Sequence, residues 1–114
     1  MTAARQALGA AGEDQAAAWY SAHGYRVVER NWRCRDGELD LVVRRGRELV
    51  FVEVKTRRTD RFGLPAEAVT PAKQRRLRAL ASRYLDATGS RAGSVRFDVV
   101  SILGGRLEVI EAAF

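Results

Sequence analysis

Between Glu48 and Arg57 the chain reads ELVFVEVKTR, with Leu49, Phe51, Glu53 and Lys55 alternating against Val50, Val52 and Val54. A period of two predicts a strand, but one of its faces starts apolar and ends in an acid and a base. The neighbouring patterns give this strand its company. Residues from about 3 to 23 are predicted to form a helix, because Glu13, Ala16, Ala17, Tyr20 and His23 share a stripe at helical spacing and Gly24 supplies a stop. Tyr25–Arg33 and Gly37–Val43 read as strands, the second separated from ELVFVEVKTR by a turn containing Gly46. Thr59–Pro65 reads as a loop. A second helix begins near Thr70-Pro71, where threonine caps and proline suits the first helical position, and ends at Gly89. Its core stripe is Leu77, Leu80, Ala81, Tyr84 and Leu85, with Arg75, Arg76, Arg78 and Arg83 mostly on other faces. Ser94–Leu103, the turn Gly104-Gly105 and Arg106–Ile110 form a closing hairpin. The order α-β-β-β-α-β-β implies a meander of three strands, a crossover helix and a further strand beside the sheet. That is an α/β sandwich around a mixed sheet.

Register then raises a chemical question. With Gly46-Arg47 as a two-residue type II′ turn, Arg45 faces Glu48, Val43 faces Val50, Asp40 faces Glu53 and Glu38 faces Lys55. Opposed Cβ atoms lie about 4.5–5.5 Å apart, so two carboxylates there repel unless a cation lies between them. Mg²⁺ is suited to the place, because it takes oxygen ligands from one or two carboxylates and keeps company with phosphates. Lys55 lies on the same face as Glu53, within reach of a water or phosphate oxygen beside such a cation. The structural alternative is an ordinary Glu38–Lys55 ion pair with Asp40 as a turn-proximal acid, and a slip of one residue would separate the acids. The pattern of residues leaves both readings open.

Composition narrows the partner. The chain has 114 residues, 46% of them apolar, which suffices for one domain over residues 1–114 with a modest core. Its apolar runs are far too short for a membrane span, and the start lacks a signal peptide's hydrophobic stretch. Cys34 is the sole cysteine, which excludes a disulfide framework or a cysteine metal cluster. The expected location is the cytoplasm. A net charge of +6 and a pI of about 10.4 favour a polyanionic partner. Only Lys55 and Lys73 among the 20 basic residues are lysines. A lysine kept where arginine otherwise prevails suggests a task for a compact ammonium.

The residues GELDLV (Gly37–Val42) followed by FVEVKTR (Phe51–Arg57) resemble the D…(D/E)-x-K signature of the restriction-endonuclease-like nuclease superfamily. The wider pattern adds GEDQAAAWYSAHGYRVVERNWR, the FG-P-EAV stretch, a helix bearing a lysine, RFDVV and a terminal phenylalanine. Together these resemble the YraN-like family of small bacterial proteins, which is similar to archaeal Holliday junction resolvases. The resemblance runs over nearly the whole chain. It implies a three-layer sandwich with an α-β-β-β-α-β core and an additional C-terminal strand. It also implies that Asp40, Glu53 and the carbonyl of Val54 bind Mg²⁺ or Mn²⁺, and that Glu13 completes the site. Lys55 would orient or deprotonate the attacking water, and Glu38 would support the ligands. Glu13 also falls on the helix stripe facing the sheet, where an unpaired acid is costly.

The expected activity is endonucleolytic hydrolysis of DNA phosphodiesters, with branched or structured DNA as substrate and a homodimer by analogy with the resolvases. Arg57, Arg58, Arg61, Lys73 and Arg76 would contact backbone phosphates. The rival expectation is a non-catalytic nucleic-acid-binding protein that keeps the fold, and RNA or single strands are not excluded as ligands. His23 is expected to pack or cap the first helix, Trp19 and Trp32 to serve the core or a sheet edge, and Asp98 to pair with an arginine or support the site. Cys34 lies between arginines with no histidine near in sequence to form a dyad.

Overall fold

The computed structural model describes residues 3–58 and 69–114. Arg61, the Thr59–Pro65 loop and most of the FG-P-EAV stretch lie outside the described residues. The elements are α1 (Ala3–Ala22), β1 (Arg26–Cys34), β2 (Gly37–Arg45), β3 (Glu48–Arg57), α2 (Pro71–Thr88), β4 (Ser94–Leu103) and β5 (Arg106–Ile110). The strands form a mixed sheet in the order β1-β2-β3-β4-β5, in which only the β3–β4 pair is parallel. The meander and crossover expected from the pattern are therefore present.

Local chemistry accounts for the boundaries. Thr70 is extended and its hydroxyl accepts the Lys73 N–H at 3.2 Å, Pro71 opens α2, and Gly89 closes it at φ 66°. Arg45 pairs with Glu48 across Gly46-Arg47. Gly46 has φ 60° and Arg47 has no positive φ, as a type II′ turn requires. β2 is two residues longer than its apolar run predicts, because Arg44 and Arg45 remain in the ladder opposite Leu49 and Glu48.

The helices cover opposite faces. Beneath α1, Ala16 and Tyr20 pack on Tyr25, Leu41, Val43, Val50, Val52, Val100 and Ile102. Beneath α2, Leu77, Leu80, Ala81 and Tyr84 pack on Leu39, Val42, Leu49, Phe51 and Phe97. Strict alternation would put Leu39 and Leu41 on one face, yet they lie on opposite faces. Asn31, with φ of 54°, sits in β1 between Arg30↔Leu41 and Trp32↔Leu39, opposite the point where the facing changes.

Asp98 is fully buried in β4, and every described partner is matched to it. Arg96 donates to its two oxygens at 2.8 and 2.9 Å, Tyr20 at 2.6 Å and the Ala112 N–H at 3.0 Å. The arginine partner expected for Asp98 is thus its neighbour two positions back. His23 packs at the end of α1: its Nδ1 lies 2.7 Å from the Trp19 carbonyl and its ring stacks on Trp19. Trp32 packs edge-on against Tyr84, and Cys34 is partly buried beside the same cluster.

Candidate functional site

Four elements bring acids and lysines to one end of β3. Glu13 comes from α1, which can approach the sheet closely because Gly12 is buried against Thr56. A Cβ at position 12 would collide with the Thr56 hydroxyl. Glu38 and Asp40 come from the start of β2, and Glu53 and Lys55 from the far end of β3. Lys73 comes from the first turn of α2, fixed there by the Thr70 cap.

The carboxylates of Glu13, Glu38 and Asp40 offer one oxygen each within 4.8 Å of one another. Asp40 is held by its backbone surroundings. The β2–β3 ladder is recorded from Arg45↔Glu48 to Leu41↔Val52, and one step further the Oδ2 of Asp40 accepts the Val54 N–H at 2.9 Å. A side-chain oxygen thus takes up a main-chain donor where the strands cease to pair. Burial, then the nearby Glu53 charge, pushes the Asp40 carboxyl up to about 7, and the Val54 N–H only partly offsets this. Burial likewise raises Glu13, against a lowering hydrogen bond from the Asn31 side chain. Acids raised in this way favour a proton or a cation beside them.

Glu53 is buried, 6% exposed, and two ammoniums meet the same oxygen: Lys55 Nζ at 3.4 Å and Lys73 Nζ at 3.6 Å. Glu38 lies not against Lys55 but against Arg33, at 2.8 Å. The cross-strand pair Arg33↔Glu38 explains the choice. Of the residues expected at phosphates, Arg58 and Arg76 are exposed, Arg57 is half-buried and donates to the Thr56 carbonyl at 3.0 Å, and Lys73 sits on Glu53.

The structure therefore gathers Glu13, Glu38, Asp40, Glu53, Lys55 and the backbone of Val54 into one region, with Glu38 among the clustered acids. The sequence pattern missed Asn31, Gly12 and the Lys73–Glu53 contact. An asparagine inside a strand was the available signal for the first, since asparagine is depleted in strands and tolerates left-handed backbone. The donor set fits a hard divalent cation: it is all oxygen, crowded, and includes the raised carboxyls of Asp40 and Glu13.

Comparison with known proteins gives kinship without an activity. The profile of a family described as "Uncharacterised protein family UPF0102" matches residues 12–102, a span that includes every residue of this site. A UPF0102 protein of Beutenbergia cavernae is 57% identical over 103 residues, covering 90% of this chain and 87% of its own. One of Symbiobacterium thermophilum is 53% identical over 112 residues, covering 94% of this chain and 95% of its own. One of Mycolicibacterium vanbaalenii is 51% identical over 110 residues, covering 96% and 91%.

Proposed function

The chain belongs to the uncharacterised protein family UPF0102, and from that premise and the acid cluster we propose that it is a metal-dependent endonuclease hydrolysing phosphodiester bonds in DNA. The observation that carries this reading is the convergence of Glu13, Glu38 and Asp40 within 4.8 Å, beside a buried Glu53 that bears two lysines. The mixed sheet between two helices is compatible with a restriction-endonuclease-like sandwich.

Glu13, Glu38 and Asp40 would hold Mg²⁺ or Mn²⁺, with Glu53 and the Val54 carbonyl next to them. When bound, the ion supplies Lewis-acid polarisation and charge for an in-line displacement at phosphorus. The protein's own groups do the rest. Glu53 with Lys55 and Lys73 forms a cluster of net charge +1, so an ammonium remains to face a phosphate oxygen. Lys55 is aimed by Glu53 and would orient the attacking water and stabilise charge on the phosphoryl oxygens. Arg58 and Arg76 are exposed for backbone phosphates. Branched DNA, a homodimer and a cytoplasmic location complete the proposal. Among the described residues no helix is long and apolar enough to cross a membrane.

The test is incubation of the purified protein with duplex, flap, single-stranded and four-way DNA in Mg²⁺ or Mn²⁺. Cleavage that disappears in Asp40→Asn while binding persists is the expected result. A second reading, a nucleic-acid-binding protein without catalysis, draws on the Lys55 and Lys73 contacts, which satisfy Glu53 without a cation. Binding of DNA or RNA with no cutting of any substrate would select it.

A further inference from the structure

At the opposite end of β3, the β2–β3 turn and the segment joining α2 to β4 enclose a cleft of about 400 Å³ lined by Arg44, Arg47, Arg91, Ala92 and Gly93. No carboxylate among the described residues lines it. Among the described residues none of its three arginines forms an ion pair, whereas Arg30, Arg33, Arg45, Arg83 and Arg96 all do.

The cleft is built rather than a chance gathering of side chains. Arg44 donates to the Arg91 carbonyl at 2.6 Å and to the Gly46 carbonyl at 3.5 Å, which fixes its guanidinium beside the opening. The Arg47 carbonyl accepts the Gly93 N–H at 2.8 Å and the Ser94 N–H at 3.2 Å, tying the turn to the start of β4. The Arg47 side chain lies across Gly93, where a Cβ would stand 3.0 Å from Arg47 Cβ and 3.1 Å from its Nε. The Arg44 guanidinium is fixed by main-chain carbonyls, and guanidiniums without a carboxylate partner keep N–H groups for a planar or tetrahedral oxyanion.

We propose that this cleft is a second nucleic-acid site, binding backbone phosphates remote from the acid cluster. The proposal rests on the nucleic-acid reading above and extends it in space. Five steps along β3 lead from Glu48, the residue after Arg47, to Glu53 at the acids, about 17 Å at strand rise. α2 joins the same two places on the outside, from Lys73 in its first turn to Arg91 just beyond Gly89. Its 18 residues span about 27 Å, the length of roughly eight nucleotides of one strand. A strand laid along α2 would meet Lys73 and Arg76 at one end and the arginine cleft at the other. The cleft would therefore hold DNA at a distance from the bond to be cut.

The experiment measures binding of a duplex longer than that span as a function of salt, for the full chain, Arg47→Ala and Arg91→Ala. Both cleft variants keep the main-chain carbonyls that tie the segment together. Each cleft variant should weaken binding several-fold at low salt and lower the log–log salt slope by about one. Mn²⁺ titration should be unaltered in both. Cleft variants that bind like the unaltered protein would overturn the cleft as a site and leave the nucleic-acid reading standing. Absence of DNA binding by the unaltered protein would overturn both.

Discussion

Lys55 is one of two lysines among 20 basic residues, and its surroundings explain why arginine would serve poorly. It is half-buried beside Glu53, where a guanidinium is wider and directs its hydrogen bonds through a planar fork. Lys55→Arg should leave folding and DNA affinity nearly unchanged while single-turnover cleavage falls by about 10²–10⁴-fold. Full activity would reduce this lysine to an electrostatic role. Asp40 makes a prediction of opposite sign. Its carboxyl is pushed up to about 7 in the folded chain from an ordinary 3.8. Between those values the folded state holds a proton that the unfolded state has released, so stability of the metal-free protein should fall as pH rises from about 4 to 7. Asp40→Asn should abolish that decline and be more stable at pH 8 by roughly 1–2 kcal/mol, allowing for partial solvent screening. Denaturant titrations at pH 5 and 8 decide it. Metal affinity should run the other way and rise with pH, because the proton must leave first. The strand register made Asp40 and Glu53 legible as neighbours from sequence. It did not show Glu38 choosing Arg33, because that pairing depends on β1, whose left-handed residue no alternation rule anticipates.

At the level of elements, the approach of α1 to β3 decides whether Glu13 reaches the cluster at all. Gly12 is the point of contact with Thr56. Gly12→Ala would help an isolated helix by about 1 kcal/mol through propensity. Here overpacking should outweigh that gain and destabilise by about 1–3 kcal/mol, with weakened Mn²⁺ binding because Glu13 is displaced. Thermal melts together with metal titration would show both effects, and a stabilised variant with unchanged metal binding would refute the role. The two helices illustrate what a sequence can reveal. α2 announced itself through Thr70, Pro71, its apolar stripe and Gly89, all of them local signals. The fit of α1 on β3 joins residues distant in the chain, and a glycine in a helix reads only as a weak point until its neighbour is known.

Across the whole molecule, charge rather than shape directs the partner. A net charge of +6 with Arg58 and Arg76 exposed should make DNA affinity fall steeply with salt, and Arg76→Ala should lower the slope by about one for all sequences alike. Affinity that is flat from low to high salt would contradict electrostatic capture. The general architecture was legible because meander and crossover follow from element order, whereas the arginine cleft was not, since it unites a turn and a connection 44 or more positions apart.

The parallel pairing of β3 with β4 has a consequence for the birth of the molecule. Glu48 meets Ser94 and Arg57 meets Leu103, so β3 stays unpaired along one edge until residues 94–103 have been made. During synthesis the β2–β3 hairpin closes early, while its edge from Leu49 to Val54 waits for β4. A ribosome stalled before Ser94 would present that edge to any neighbouring nascent chain. Aggregation of such truncated products, suppressed by supplying a peptide of residues 94–103, is the outcome this order of assembly requires.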